Sequence, residues 1–324
     1  MKNPATAPST PAPITATRAA ADSAPRTGRE AGGITAGARL VNLAAVVLPF
    51  LGLVAAVVFA WGWGLDWLYL WIFGVMSLVT GVGITVGYHR LFTHRSFETY
   101  AAVRVALALF GSMAVQGPLL TWVANHRRHH QHSDDHDDPH SPHAYGGGVA
   151  GVLRGAWHAH AGWLFRPEAP GLSRYVGDLL ADRPLTRVSG LFPLWVALGL
   201  LMPAVLGGLI TMTWTGALLG FIWGGLARVF FVHHVTWSIN SVCHLWGTRP
   251  FRSHDESRNN SVFGVLALGE GWHNNHHAFP TSARHGLRWW EFDASYLLIR
   301  GLELLGLAWR VKVPTPAAIN DKLR

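Results

Sequence analysis

The chain holds 19 histidines, and eight of them fall into three short patterns whose spacing suits metal binding. The eight are His89 and His94 in HRLFTH, His126, His129 and His130 in HRRHH, and His273, His276 and His277 in HNNHH. We call these patterns boxes one, two and three. Neutral imidazole is a good ligand for iron, zinc, copper and nickel. The boxes therefore predict a metal site lined by histidine.

Helix geometry indicates how the boxes share their ligands. In HxxHH on a helix, the first and last histidines lie within about 40° of each other, and the middle one lies on the other flank. Each such box can offer two imidazoles to one metal ion and the third to a neighbouring ion. On a straight helix His89 and His94 point about 140° apart, which favours different ions or a helix that ends between them. The spacing predicts a two-metal site with a histidine shell, unlike the Glu-rich di-iron sites of four-helix bundles.

Most of the other histidines are expected to lie outside this shell. Those close to box two are interpreted as solvated or as supporting the ligands: His132, His136, His140 and His143. Further ones are interpreted as non-ligands: His158, His160, His233, His234, His254 and His285. A metal-storage tract explains a single HxxHH box more readily than two in one chain.

The composition is that of a membrane protein. Hydrophobic residues make up 50% of the 324 residues and charged residues only 14%, against a usual share of about a quarter. This excludes a disordered chain and argues against an ordinary soluble domain. The single cysteine, Cys243, excludes an intrachain disulfide and a cysteine-based zinc or iron–sulfur site. The net charge of +8 does not indicate nucleic-acid binding, because the basic residues lie in short segments beside apolar ones and no binding motif is present.

Four apolar segments are long enough to cross a membrane as helices of about 20 residues. They cover residues 40–61, 66–88, 190–210 and 214–235. Asp66 is the only charged residue in residues 40–88, and residues 188–227 contain none. Trp61 and Trp67 beside the first predicted turn suit a belt at the membrane surface. The four segments predict two helical hairpins.

Charge placement predicts which parts face the cytoplasm. The predicted turns carry no Lys or Arg, whereas arginines flank the other ends of the spans, so the N-terminus and residues 124–187 and 240–312 are predicted to be cytoplasmic. Residues 101–123 are also apolar, but as a span they would separate boxes one and two, so we predict a helix at the membrane interface. Residues 1–36 and 313–324 are predicted as tails, the first of them disordered, around a membrane domain of residues 37–312. The predicted fold class is an all-α integral membrane protein with four transmembrane helices in two hairpins and a cytoplasmic helical cap that holds the di-metal site.

The three boxes, in this order around two apolar hairpins, resemble those of the membrane fatty-acid desaturases. The resemblance is to the stearoyl-CoA (Δ9) type, as a bacterial member, and covers about residues 40–310. Supporting stretches are DPH at 138–140, GWL at 162–164, DLLAD at 178–182, TWSINS at 236–241 and GEGW at 269–272. The resemblance implies a bacterial-type plasma-membrane enzyme that uses O2 to introduce a cis double bond, expected at Δ9, into a saturated acyl chain.

The resemblance also implies a di-iron centre of nine histidines. The ninth is His244, and Asn240 matches a position that holds a metal-bound water. Combined with helix geometry, this suggests one iron bound by His89, His126, His130, His273 and His277, and a second bound by His94, His129, His244, His276 and the water at Asn240. The family's substrate tunnel bends beside the residues that match Trp122, Thr236 and Trp237.

The resemblance implies acyl-CoA as the first expectation for the substrate, but two departures keep a membrane lipid as an alternative acyl carrier. Ala124 and Asn125 replace an Arg-Asp pair that helps hold CoA, and a basic pair after GWL is missing. Arginines that can bind either head group are Arg127, Arg128, Arg249, Arg252, Arg284 and Arg288. No fused cytochrome b5 signature is present, so the expected electron donor is a ferredoxin with its flavoprotein reductase. A di-iron hydroxylase or ketolase is the nearest alternative activity, and a membrane metal-binding or transport protein is a distant one.

Overall fold

The computed structural model describes residues 33–62, 64–167 and 171–324, and these residues are mostly helical, as predicted. The helices are α1 (Ala36–Gly62), α2 (Trp67–Val82), α3 (Ala101–Ser112), α4 (Leu119–His132), α5 (Gly148–His160), α6 (Gly177–Leu180), α7 (Arg183–Gly190), α8 (Phe192–Thr211), α9 (Trp214–Gly220), α10 (Arg228–Leu245), α11 (Ser261–Leu266), α12 (His273–Ala278), α13 (Ala294–Leu304) and α14 (Pro316–Lys322). Two π-helical segments, Gly83–Thr93 and Phe221–Ala227, continue α2 and α9. The strands within the described part are β1 (Glu98–Thr99) and β2 (Ala308–Trp309), which pair antiparallel. Of the predicted N-terminal tail, residues 1–32 lie outside the described residues.

Four helices in the described residues are long and apolar enough to cross a membrane, as predicted. They are Ala36–Gly62, Trp67–Thr93, Phe192–Thr211 and Trp214–Leu245. In the most apolar stretch of the first and third helices only 17% of the residues are buried, whereas in the second and fourth helices 44% and 56% are buried. The second and fourth therefore form the inside of the helix group, and the other two present most of their apolar surface outward.

The ends of two of these helices are capped by side chains. Asp66 accepts a hydrogen bond from Leu68 N (2.8 Å) at the start of α2, and Thr213 accepts one from Gly216 N (2.9 Å) at the start of α9. These caps satisfy backbone N–H groups that a helix leaves unpaired in its first turn. Next to them Trp61 and Trp214 are more than nine-tenths exposed, as expected for side chains at a membrane surface.

The two inner helices are longer than an apolar membrane core requires. At 27 and 32 residues, they measure about 40 and 48 Å at 1.5 Å per residue, whereas the core is about 30 Å thick. The surplus length lies at the ends that carry box one and His244. Two rigid helices thus hold histidines just beyond the apolar region.

Residues 101–123, predicted as one helix, form two helices with a break between them. Val115 and Gly117 have positive φ angles of 62° and 104°, and Pro118 follows as the N-cap of α4. Pro cannot continue a helix from the preceding residues because it lacks an N–H group. The break lets α4 start in a new direction and carry box two. The largest cluster of buried apolar side chains joins α3, α4 and α7 to the π-helical end of the second span.

Arg228 is fully buried inside the helix group, and its guanidinium bonds three backbone carbonyls. It donates to Met113 O (2.7 Å), Gly199 O (2.7 Å) and Gly224 O (3.0 Å). These carbonyls belong to the end of α3, to α8 and to the second π-helical segment. Arg228 therefore joins the end of α3 to both halves of the second helix pair.

We expect Arg228→Met to lower the stability of the protein by about 4.5 kcal/mol or more, because each hydrogen bond from a charged donor contributes about 1.5–3 kcal/mol and three are lost. The melting temperature in detergent measures this. Arg154→Met, at an exposed position of α5, serves as the control. Equal melting temperatures for the two variants would contradict the assignment.

Candidate metal centre

Box one lies at the end of a π-helix, and this changes the direction of its histidines. The hydrogen bonds of a π-helix join residues five apart, and His94 N indeed donates to His89 O at 3.1 Å. The two side chains therefore lie on one side, with ring centroids 4.7 Å apart. Of the two expected alternatives, different ions or a helix that ends between the two histidines, the second is confirmed, since the helix ends at Thr93 and His94 is its C-cap.

Boxes two and three lie on α4 and α12. In each box, the first and last histidines lie together and the middle one lies apart from them. His126 and His130 have ring centroids 4.8 Å apart, and His273 and His277 have ring centroids 4.3 Å apart. Both pairs are four residues apart in the chain, as helix geometry requires. The middle histidine of each box lies on the other flank.

The box histidines and His244 form two clusters in which the candidate ligand atoms lie within 4.8 Å of one another. Cluster one contains His89, His94, His126, His130 and His276. Cluster two contains His129, His244, His273 and His277. The clusters adjoin, since the rings of His130 and His277 stack at 4.5 Å.

This division differs from the one expected in the sequence analysis. His94 and His276 join His89, whereas His273 and His277 join His129. The π-helix accounts for His94. For box three, the spacing predicts that His273 and His277 pair. Which cluster this pair joins depends on how α12 is oriented against α4, and the spacing does not contain that information.

The ring nitrogens of each cluster converge as ligands of one ion would. In cluster one, His276 Nε2 lies 3.1 Å from His89 Nε2 and 2.9 Å from His130 Nε2. In cluster two, His244 Nε2 lies 3.0 Å from His273 Nε2. Two imidazole nitrogens about 2.1 Å from one ion and at a right angle are about 3 Å apart. The residues present therefore fit a metal ion in each cluster.

Four of these histidines contact a carboxylate through the nitrogen that points away from the cluster. The pairs are His89 Nδ1 with Glu270 (2.5 Å), His129 Nδ1 with Asp138 (3.0 Å), His244 Nδ1 with Asp134 (2.9 Å), and His277 Nδ1 with Asp255. Such partners fix the ring orientation and tautomer of a metal-binding histidine. Asp138 and Glu270 lie in stretches that the resemblance singled out, but nothing in the sequence pattern marked Asp134 or Asp255.

The interior of the centre favours neutral imidazole, the form that binds metal. Burial, and then neighbouring imidazoles, lower the pKa well below its usual value for His94, His126, His130, His273 and His276. For Asp138, burial alone would raise the pKa, but His129 and His140 beside it hold the pKa below its usual range. The arrangement thus combines these five neutral rings with charged carboxylates around them.

We expect the metal-free protein to lose stability as the pH falls from 7.5 to 5.5. A histidine in the unfolded chain takes up a proton near pH 6.5, whereas the buried rings resist protonation. The unfolded state therefore binds more protons than the folded state, and lower pH favours unfolding. Each such ring contributes about 1.4 kcal/mol per pH unit below 6.5. Melting temperatures of chelator-treated protein in detergent measure the effect.

A control for this pH series is His136→Gln, because that imidazole is fully exposed and its loss should leave the pH dependence unchanged. A melting temperature that stays constant between pH 7.5 and 5.5 would contradict the buried, neutral state of the rings.

The other histidines take several positions. His140 is buried against His129, with ring centroids 4.4 Å apart, and His143 Nε2 donates to His244 O at 3.1 Å. Both therefore contact residues of the metal centre, which agrees with the interpretation that they support the ligands rather than the interpretation that they are solvated. His285, interpreted from the sequence as a non-ligand, belongs to neither cluster but lies against cluster one, with its ring centroid 4.4 Å from that of His276.

Of the predicted substrate residues, Trp122 lies beside cluster one, whereas Thr236 and Trp237 lie on α10, about two turns before His244. Trp122 stacks on His126, with centroids 5.0 Å apart and ring planes 21° apart. Thr236 accepts a hydrogen bond from Gln116 Nε2 at 2.9 Å, a partner that the sequence analysis did not select. Trp237 is buried next to it on α10, and Asn240 is partly buried one turn before His244.

Comparisons with known proteins agree with this site. The model of the family described as fatty acid desaturase matches residues 65–302. A hex-5-enoyl-[acyl-carrier protein] acetylenase of Moorena producens (strain JHB) is 44% identical over 278 residues, covering 85% of this chain and 87% of the relative. An sn-1 stearoyl-lipid 9-desaturase of Anabaena variabilis is 40% identical, covering 82% and 92%, and an icosanoyl-CoA 5-desaturase of Limnanthes douglasii is 36% identical, covering 86% and 74%.

Four apolar helices, two adjoining histidine clusters and a family match over most of the chain therefore lead to one assignment. The chain is an oxidoreductase that belongs to the fatty acid desaturase family.

Proposed function

We propose that the protein is an O2-dependent acyl desaturase that introduces a cis double bond, at Δ9, into a saturated acyl chain. The observation that carries the proposal is the pair of adjoining clusters built almost wholly of imidazole. In the overall reaction, one CH2–CH2 unit loses two hydrogens, and O2 takes up these together with two electrons and two protons to give two waters. Iron bound in both clusters supplies the O2-dependent oxidation, which acid–base side chains alone cannot provide.

The residues of the chain hold the metal and exclude water. The proposed ligands are His89, His94, His126, His130 and His276 in cluster one, and His129, His244, His273, His277 and a water at Asn240 in cluster two. The clusters are mostly buried: His276 has no exposed surface and His129, His244 and His273 are 1% exposed. Such a site keeps bulk water away from a reactive centre.

The acyl chain is proposed to pass Trp122, Thr236 and Trp237. Trp122 contacts both His126 and Tyr88, so its indole connects cluster one to the buried apolar residues. Burial of each CH2 group contributes about 0.8 kcal/mol to binding. Position Δ9 then follows from the distance between the head-group anchor and the metal centre.

We propose a membrane lipid rather than acyl-CoA as the acyl carrier, because CoA carries more phosphate groups than a lipid head group and two of the six arginines that could bind phosphate have other partners. Arg127 bonds both carboxylate oxygens of Asp178 and two backbone carbonyls. Arg249 bonds Glu256 and a backbone carbonyl. The missing basic pair and the 9-desaturase of Anabaena variabilis, named for a stearoyl-lipid, support the same carrier.

The protein is further proposed to lie in a bacterial-type plasma membrane, with its termini and both clusters on the cytoplasmic side. The arginine distribution supports this orientation through the positive-inside rule. Electrons are proposed to come from an acidic ferredoxin with its flavoprotein reductase, because opposite charge steers such partners together.

Product analysis tests the activity. A desaturase-deficient host that expresses the chain with a ferredoxin and its reductase is expected to accumulate a Δ9 monoene, with the double bond mapped by mass spectrometry. A hydroxylated product would identify a hydroxylase instead, and an unchanged profile would contradict the acyl substrate.

The carrier is tested with purified protein in lipid nanodiscs. Stearoyl-lipid, stearoyl-CoA and stearoyl-acyl-carrier protein are supplied separately, and only the first is expected to be desaturated. Turnover of the CoA or carrier-protein substrate in the absence of stearoyl-lipid would overturn this part of the proposal.

A further inference from the structure

His285 is a buried histidine whose ring lies close to polar groups without a well-aligned hydrogen bond to any of them in the described residues. It lies between α12 and α13 and is 1% exposed. Neither ring nitrogen forms a hydrogen bond within residues 33–62, 64–167 and 171–324. Its backbone is held firmly, since its N–H donates to Asp293 Oδ2 (2.7 Å) and its carbonyl accepts from Asn275 Nδ2 (2.9 Å). Leaving a buried polar atom unpaired destabilises a fold, so a ring in this position is expected to have a specific role.

Two groups that suit this ring lie next to it. Glu270 Oε2 is 3.2 Å from His285 Nδ1. The ring of His276 lies at a centroid distance of 4.4 Å and a tilt of 34°. His276 Nδ1 is itself buried and has no hydrogen-bond partner in the described part of the chain. Of the histidines in cluster one, His276 therefore lacks the outer contact that His89 obtains from Glu270.

Glu270 is a fixed anchor for such a contact. Arg90, which has no exposed surface, bonds Glu270 Oε1 (3.1 Å) and Asp293 Oδ2 (3.2 Å). Asp293 in turn accepts the backbone N–H of His285. The Glu270 carboxylate and the backbone of His285 thus belong to one buried network. A small rotation of the His285 imidazole is then enough to align its Nδ1 with Glu270.

We propose that His285 is a positioning residue that orients His276 for metal binding. Its Nδ1–H donates to Glu270, and its Nε2 accepts the Nδ1–H of His276, which directs His276 Nε2 into cluster one. Glu270 then orients two histidines, His89 directly and His276 through His285. The proposal rests on the proposed function, because it takes His276 as a metal ligand.

The test compares a polar with an apolar replacement. The amide of His285→Gln can still donate to Glu270 and accept from His276, whereas His285→Phe fills the space without either bond. Each purified protein is loaded with ferrous iron in detergent, and iron content, Mössbauer spectrum and release of iron to a chelator are measured. His158→Phe is the control, at a partly buried histidine that belongs to neither cluster.

We expect two irons per chain in the wild type, the control and His285→Gln. In His285→Phe, one of the two irons is expected to leave at least about 10-fold faster, because loss of such an outer partner costs 10–100-fold in metal affinity. Wild-type release of both irons from His285→Phe, or equal loss from His285→Gln and His285→Phe, would overturn the proposal. His285→Leu is the second apolar variant should the phenylalanine protein not fold. A wild-type protein that binds no iron would instead contradict the proposed function.

Discussion

His130→Ala is expected to abolish desaturation and to leave the protein with one iron instead of two. The Nε2 atom of His130 lies 3.2 Å from that of His126 and 2.9 Å from that of His276. It therefore stands at the middle of the converging nitrogens of cluster one. Outer partners of metal ligands are already worth about 10–100-fold in affinity or activity, so removal of a ligand itself should cost at least about 100-fold in activity.

Iron content of the purified protein and monoene formation in the deficient host measure this effect. His158→Ala is the matched control, since that side chain lies on α5 outside both clusters. Full iron and full activity in His130→Ala would contradict the metal centre as described. Loss of activity with both irons retained would limit the role of His130 to something other than metal binding.

Much of the architecture follows from composition and spacing. The absence of charge from residues 188–227 and the single Asp66 in residues 40–88 predict the four apolar helices directly, because a charge is costly in a membrane core. The pairing of His126 with His130 and of His273 with His277 follows from helical periodicity alone. These features depend only on local sequence.

The division of ligands between the clusters does not follow from local sequence. A π-helix differs from an α-helix by one residue per hydrogen-bonded ring, and no composition rule marks Gly83–Thr93 as one. What the structure adds is packing: a Cβ atom on Gly83 would lie 2.1 Å from Gly111 N of α3. This close packing of the π-helical segment on α3 joins parts of the chain that are distant in sequence, so local sequence does not reveal it.

The outer carboxylates were equally difficult to predict. Asp134 and Asp255 lie in polar loops where solvated acidic residues are the ordinary interpretation. Only their approach to His244 and His277 in the folded chain reveals them. Arg228 is a similar case, since a lone arginine near a predicted span end gave no hint of three carbonyl partners.

Asp255→Asn is expected to weaken metal binding in cluster two by about 10–100-fold, the range for outer partners of metal ligands. Asp255 is buried, contacts His277 Nδ1, and accepts hydrogen bonds from Ser257 N (3.1 Å) and Ser257 Oγ (2.6 Å). These bonds hold one carboxylate oxygen in place while the other faces the imidazole. An amide lacks the negative charge and can turn its NH2 group toward His277 Nδ1–H, which no longer has an acceptor. Release of iron to a chelator measures the loss, with Asp137→Asn as the control at a carboxylate that is 65% exposed.

The double variant His130→Ala, Asp255→Asn separates the two possible divisions of ligands. In the division expected from the sequence, His130 and His277 share one iron, so both substitutions act on the same ion and one iron remains firmly bound. In the structure, the two histidines belong to different clusters, so the double variant should lose to a chelator the one iron that His130→Ala retains. Retention of one tightly bound iron in the double variant would therefore restore the earlier division, despite the short distances between the ring nitrogens.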